Sequence, residues 1–199
     1  MNIPQAIAAK LDVSRETLRQ LEAYVALVEK WQPRVNLVSP ASLRDIWVRH
    51  IWDSAQLAAY IPDGSPRLVD VGSGAGFPGL VLAILTDADC HLVESDHKKA
   101  IFLSTVIREC GLTATVHNDR VESLPCLQAS IITARALAPL DRLLPLLADQ
   151  LRPGTRCLFL KGAQAETELA SLGAPANLSW DLHPSLTNPD GSVIDLLVS

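Results

Sequence analysis

Three features of this 199-residue chain predict an α/β fold, a mostly parallel sheet with a helical extension ahead of it. Past residue 66, short β-rich runs alternate with longer amphipathic ones, the order of successive βα units. The first run, Leu68-Val-Asp-Val, opens directly into a glycine-rich loop, Gly-Ser-Gly-Ala-Gly-Phe-Pro-Gly79. The chain then ends on turn chemistry, Asn188-Pro189-Asp190-Gly191, flanked by two β-rich runs, which reads as a closing antiparallel hairpin.

Taken in order, the elements begin with a helix whose face carries Leu18, Leu21, Val25 and Val28, after the cap residue Ser14 and ending near Trp31 before Pro33. A second helix is expected from Ser42, where Ser42 and Asp45 have capping-box spacing, with Trp47, Ile51, Ser54, Leu57 and Ala58 along one side to about Tyr60. Pro62, Gly64 and Pro66 mark a boundary, so residues 1–66 form a helical extension and residues 67–199 the α/β domain. Strands follow at 67–71, 90–94, 113–117, 129–133 and 156–160, with helices centred on 82, 103, 144 and 167. Pro78 suits the first turn of the helix after the loop. The hairpin strands are 177–182 and 192–198.

Five parallel βα units followed by a hairpin differ from a simple dinucleotide fold. They resemble the layout of class I S-adenosylmethionine-dependent methyltransferases, a Rossmann-like, mostly parallel seven-stranded sheet whose last strand is inserted antiparallel.

Composition bounds the function further. With 48% hydrophobic and 20% charged residues the chain has enough apolar material for one good core plus an appendage. The longest apolar run, Leu80 to Leu85, is far short of the ~18 residues of a membrane span, and no export signal opens the chain. A soluble cytoplasmic protein with no membrane partner is expected. Cys90, Cys110, Cys126 and Cys157 are widely spaced, so neither a metal site nor a disulfide framework is indicated. The net charge of −5 is unevenly distributed: residues 1–66 carry seven basic and seven acidic side chains, residues 67–162 ten of each. The whole excess lies in Glu166, Glu168, Asp181, Asp190 and Asp195, a segment without Lys or Arg. A nucleic-acid-facing surface must lie elsewhere.

The loop narrows the ligand. Glycines at 72, 74 and 76 let the backbone turn sharply and approach a ligand closely. Asp70, at the strand end, repels a pyrophosphate but complements a cationic ligand such as S-adenosylmethionine, with its ammonium and sulfonium. The competing frame, Gly74-x-Gly76-x-x-Gly79, matches the dinucleotide fingerprint, although it draws the strand through Gly72 and Ser73. Glu94, ending the next β run, can accept hydrogen bonds from both hydroxyls of an adenosine ribose, which does not separate the two ligands. Asn118 to Glu122 follow the third strand, where an adenine edge would lie. Arg135, just past the fourth strand, and Lys161, ending the fifth, occupy the carboxyl edge where open α/β sheets bind ligands. There they could meet a carboxylate or a phosphate.

Several segments together resemble one family, the bacterial glucose-inhibited division B proteins, which are 16S ribosomal RNA guanine-N7 methyltransferases. They are Val35-Asn36-Leu37-Val38-Ser39, Arg49-His50-Ile51-Trp52-Asp53-Ser54, Asp70 to Gly79 with its Phe-Pro-Gly ending, Leu92-Val93-Glu94-Ser95 with Lys98-Lys99 and Phe102-Leu103, Arg120-Val121-Glu122, Arg135-Ala136 and Leu160-Lys161-Gly162. Gln32 and Leu137 depart from the pattern, which usually has Asn and Phe there. The resemblance implies S-adenosylmethionine contacts from Gly72, Phe77, Val121, Glu122 and Arg135, with Glu94 on the ribose. It also implies a substrate side that includes Asn36, Arg49, His50 and Asp53. Lys98 and Lys99 open a helix, an unfavourable place for cations that a phosphate contact would explain.

The resemblance further implies 16S ribosomal RNA or the small ribosomal subunit as partner, at the decoding-region loop. Guanine N7 attacks through an in-plane lone pair, so no general base and no metal are expected. Glu122 and Asp53 are candidates for shaping negative potential near the purine. Two other functions stay open on the sequence: a nucleotide-dependent oxidoreductase, and a non-catalytic methyl-donor or RNA-binding module.

Overall fold

A computed structural model describes residues 3–173 and 175–199. Its centre is a seven-stranded sheet: β1 (Arg67–Val71), β2 (Asp89–Val93), β3 (Ala114–His117), β4 (Ile131–Arg135), β5 (Arg156–Lys161), β6 (Leu178–Pro184) and β7 (Ser192–Val198), in the spatial order β3-β2-β1-β4-β5-β7-β6. The first five strands are parallel; β7 runs antiparallel to β5 and to β6. This is the class I methyltransferase sheet. The chain leaves β1 for one edge and returns through β4 to the other, so the β1–β4 switch point opens at the carboxyl ends of both strands.

Helices cover both faces. The extension supplies α1 (Gln5–Leu11), α2 (Arg15–Trp31), α3 (Pro40–Arg44), a π-helical turn Trp47–Trp52, α4 (Asp53–Ala55) and a 3-10 turn Gln56–Tyr60; the domain supplies α5 (Gly79–Leu85), α6 (His97–Cys110), α7 (Leu140–Leu146) and α8 (Ala165–Ser171). β1 is buried on both sides, and the pleat divides it: Val69 and Val71 pack in the cluster with Leu140, Leu143 and Leu169 of α7 and α8. Leu21, Tyr24, Val25 and Val28 of α2 share a second cluster with Leu80 of α5 and Phe102, Leu103 and Val106 of α6. The extension is thereby part of the layer over α5 and α6.

Several expectations shift. The second helix starts at Pro40, not Ser42: Ser39 caps it, its Oγ accepting the Ser42 amide at 3.1 Å, because Pro40 has no N–H to leave unsatisfied in the first turn. The stretch to Tyr60 is not one helix but π, α and 3-10 turns in succession. The fourth strand lies at Ile131–Arg135 rather than 129–133, centred on the β-branched Ile131, Ile132 and Thr133, and so Arg135 closes the strand instead of following it. Pro78 is the cap and Gly79 the first residue of α5. Helix α1 was not anticipated by the periodicity.

Candidate functional site

The glycine loop is fixed from below and from the side. Gly72, Gly74 and Gly76 have φ of 68°, 57° and 94°, the left-handed region that a side chain disfavours. The Gly72 and Ser73 amides donate to the Val93 carbonyl at 2.9 and 3.1 Å, folding the loop over the end of β2. Glu94, 7% exposed, accepts the Gly74 amide on Oε2 and the Asp96 amide on Oε1, each at 2.7 Å. Each of its oxygens keeps a lone pair for a ligand hydroxyl. Asn118 donates to the Glu94 carbonyl at 2.9 Å, bringing the loop after β3 to the same edge. There Val121 is buried and Glu122 is exposed, 3.9 Å from Arg120.

Asp70 sits beneath this loop, 1% exposed. Its Oδ1 accepts the Thr133 hydroxyl at 2.8 Å, and burial pushes the carboxyl pKa up to about 6 despite the hydrogen bonds from Thr133 and Ser73 that lower it. The Gly79 amide approaches, but Oδ2 has no well-aligned hydrogen bond among the described residues. Asp70 therefore lies behind the loop rather than on its open surface. The loop's outer support is one that the sequence reading missed: Tyr24 of α2, fully buried, donates its hydroxyl to the Ala75 carbonyl at 2.5 Å. Its signal was a single phenol on the apolar stripe of α2.

On the other side of the β1–β4 switch point, Arg135 organises a second set of residues. Its Nη2 donates to His50 Nδ1 at 2.6 Å and its Nη1 to the Arg49 carbonyl at 3.0 Å, with Asp53 Oδ2 3.6 Å from Nη1. The guanidinium lies 5.1 Å over the Phe77 ring, and His50 stacks on the same ring at 4.7 Å and 20°. The π turn brings His50 inward, to 8% exposure. Burial, then the charges of Arg135 and Arg49, lower its pKa to about 3, so the imidazole is neutral.

Arg49, His50, Asp53 and Arg135 line a cleft of about 730 Å³ that the β6–β7 turn also lines, with Ser185, Thr187 and Asn188. Asp53 Oδ1 accepts Gln56 Nε2 at 3.0 Å and the Thr187 hydroxyl at 2.5 Å; the Leu186 amide donates to Gln56 Oε1 at 2.9 Å. The turn is thus sewn to the segment after the π turn. Leu137 lies between the cleft and the loop: a Cβ on Gly72 would come within 2.6 Å of its Cδ1.

Of the substrate-side candidates, Arg49, His50 and Asp53 come together here. Lys161 also lines the cleft, but it is not a free cation: its Nζ is 2.8 Å from Glu168 and donates to the Ala138 carbonyl at 2.6 Å. Glu168 also accepts the Leu140 amide at 2.9 Å, so the pair pins the loop that carries Leu137. Asn36, Lys98, Lys99 and Glu122 are not among the cleft's lining residues. Lys98 and Lys99 instead have their amides capped by Asp96 Oδ1, at 2.8 and 3.2 Å. Gln32, one of the departures from the family pattern, organises the turn after α2: its Oε1 accepts the Leu37 and Val38 amides at 3.1 and 3.0 Å.

The chain is also similar to known proteins. The family model described as GidB, rRNA small subunit methyltransferase G, matches residues 17–183. Two proteins named ribosomal RNA small subunit methyltransferase G are similar over nearly the whole chain. That of Paramagnetospirillum magneticum is 50% identical over 97% of this chain and 94% of its own length, and that of Rhodospirillum centenum 51% identical over 94% and 87%. Among solved structures, the mitomycin 7-O-methyltransferase MmcR superposes with a TM-score of 0.63 at 16% identity, covering 98% of this chain and 71% of that one, a likeness of fold. The family match and those identities establish that the chain belongs to the GidB family, rRNA small subunit methyltransferase G.

Proposed function

We propose that this protein transfers the methyl group of S-adenosylmethionine to N7 of a guanine in the decoding-region loop of 16S ribosomal RNA. Family membership supports S-adenosylmethionine-dependent methylation of ribosomal RNA. The observation that carries the finer reading is the state of the polar groups in the cleft. His50 Nδ1 is occupied by Arg135, Asp53 by Gln56, Thr187 and Arg135, and Glu168 by Lys161 and the Leu140 amide. A nucleophile that had to lose a proton would need one of them as base. Guanine N7, with its in-plane lone pair, needs none.

The donor-side residues fit the cofactor. Glu94 keeps acceptor capacity for two ribose hydroxyls, a Cβ on Gly74 would meet no more than the Gly72 carbonyl oxygen at 3.8 Å, and Arg135, 17% exposed, offers a guanidinium for a carboxylate. When bound, S-adenosylmethionine supplies an electrophilic methyl on a cationic sulfur. The chain's own work is alignment, which contributes on the order of 7 to 11 kcal/mol in well-oriented reactions. Asp70 places a buried negative charge under the loop at neutral pH, above its pKa of about 6. Asp53 keeps another beside the cleft as positive charge moves onto the purine. Because folded RNA hides N7 in a deep, narrow groove, the target base must be unpaired or everted to enter.

The test is incubation with labelled S-adenosylmethionine and either small subunits lacking the modification or naked 16S RNA, followed by chemical cleavage at N7-methylguanosine. Label at one guanine is expected. No label in either substrate refutes the proposal.

A further inference from the structure

A guanidinium has N–H donors and no acceptor, so the 2.6 Å contact between Arg135 Nη2 and His50 Nδ1 has one possible polarity. Arg135 donates and Nδ1 accepts. A neutral imidazole that accepts at Nδ1 carries its proton on Nε2, and the low pKa of about 3 keeps the ring in that neutral form throughout the physiological range. The ring is held on one face by Phe77 and at its edge by Arg135. Its Nε2 is buried and has no hydrogen-bond partner among the described residues. His50 is thus a donor of fixed direction, lining the cleft beside Arg49 and Asp53, with its one proton unanswered. A buried donor left this way carries a desolvation penalty that a ligand acceptor removes.

We propose that the Nε2–H of His50 reads the six-position of the acceptor purine, donating to O6 of guanine as N7 is aligned for attack. This inference rests on the guanine-N7 reading and makes it specific. Guanine and adenine share the N7 lone pair, so the reacting atom cannot distinguish them. The neighbouring group can: guanine presents an acceptor carbonyl there and adenine an amino donor. A histidine free to change tautomer would satisfy either base. One locked by Arg135 satisfies guanine and opposes adenine, and sites built around a specific hydrogen bond reject the analogue lacking it. The other acceptor that could reach Nε2 is the carboxylate of the methyl donor, which Arg135 would hold beside His50, and the donor affinity of a His50 variant separates the two.

The experiment uses small subunits reconstituted with 16S RNA carrying either guanine or 2-aminopurine at the methylated position. 2-Aminopurine keeps N7 and the two-amino group but has no O6. Wild-type protein is expected to lose at least about 30-fold in kcat/KM on the 2-aminopurine subunits. His50→Ala should lose a similar factor on guanine subunits and nothing further on 2-aminopurine, while its calorimetric Kd for S-adenosylmethionine stays within about threefold of wild type. Equal fractional losses on both substrates, or a tenfold weaker donor Kd, overturn the inference. His50→Gln, which keeps a side-chain N–H, should recover part of the guanine activity and none of the 2-aminopurine activity. A readout independent of variants is the ¹⁵N spectrum of His50 in the wild-type protein, expected to show an Nε2-protonated ring unchanged from pH 5 to 8; an Nδ1-protonated or titrating ring also overturns it. Wild-type protein that methylates neither RNA defeats the functional reading and this inference with it. Equal methylation of both defeats the inference alone.

Discussion

Tyr24→Phe removes one oxygen atom and tests whether the helical extension shapes the donor loop. Tyr24 is fully buried, its ring is 5.2 Å from Phe77, and its hydroxyl donates to the Ala75 carbonyl at 2.5 Å. A Cβ on Gly76 would lie 2.8 Å from that oxygen, so the loop is pressed against it. Burial raises the phenol pKa well above its ordinary value, so the group stays a neutral donor throughout the working range. The substitution keeps the ring and leaves a buried carbonyl unpaired, at a cost of about 1–3 kcal/mol. For a chain of this size that lowers Tm by about 2 to 12 °C. Since the carbonyl belongs to the loop, part of this energy appears as loop opening, which weakens donor affinity by the fraction of molecules opened, about threefold to tenfold. Thermal denaturation and titration calorimetry with S-adenosylmethionine measure the two effects. kcat at saturating donor should change less than about twofold, because Tyr24 touches no reacting atom. An unchanged Tm together with an unchanged Kd refutes the reasoning. A lower Tm with an unchanged Kd confines the bond to stability.

Three further predictions concern other joints. Lys161→Met should destabilise the protein by about 3–5 kcal/mol in urea unfolding, because Glu168 then remains largely buried without its cation, and the double variant with Glu168→Leu should recover most of the loss; no recovery would show that the cost lies in packing. Gly79→Ala should cost about 1–3 kcal/mol, since a Cβ there meets Asp70 Cβ and Oδ2, each at 2.7 Å, and an unchanged Tm would mean that α5 shifts freely off β1. The hydrogen bond from Arg156, and its charge, hold the Asp195 carboxyl below its ordinary range, so the stability it confers is complete above the unfolded carboxylate pKa of about 4 and is lost as pH falls through the folded value. Arg156→Met should therefore flatten the decline of the urea midpoint between about pH 5 and 3; an identical slope would refute the linkage.

The glycine loop is legible in the sequence because its requirements are local. Left-handed turns need glycine, and a buried strand needs a β-branched run, so Gly72, Gly74, Gly76 and the β1 segment stand out from their neighbours. The cleft is assembled from side chains far apart in the chain. Asp53 and Thr187 are separated by 134 positions and meet at 2.5 Å, and no periodicity in either segment announces the other. The carboxyl-terminal segment adds little to the family resemblance, yet it builds one wall of the cleft. The stretch 47–52 misleads in a different way. Its apolar face, Trp47 and Ile51, is read correctly from helical spacing, but a π turn holds more residues than an α turn and His50 joins that buried face. Lys161 looks like an exposed cation at a strand end, and only the fold places Glu168 beside it.

The charge distribution takes on a different meaning once the ion pairs are placed. Residues 163–199 hold the whole acidic excess, which argues against nucleic acid approaching that segment, yet its hairpin turn lines the cleft. Two of the five acids are consumed internally: Glu168 by Lys161 and Asp195 by Arg156. Glu166, Asp181 and Asp190 are exposed and none of them lines the cleft. What the turn presents there is neutral, the hydroxyls of Ser185 and Thr187 and the amide of Asn188. The same cleft is lined by Arg49, which is exposed, and by Arg135. An RNA phosphate entering the cleft would therefore meet Arg49, the uncharged groups of the turn, and the carboxylates Asp53 and Glu168 already paired with Arg135 and Lys161, while the segment's exposed acids would repel it only from outside. Ionic strength should then weaken RNA binding through few contacts, and substituting Arg49 should reduce the salt slope by about one.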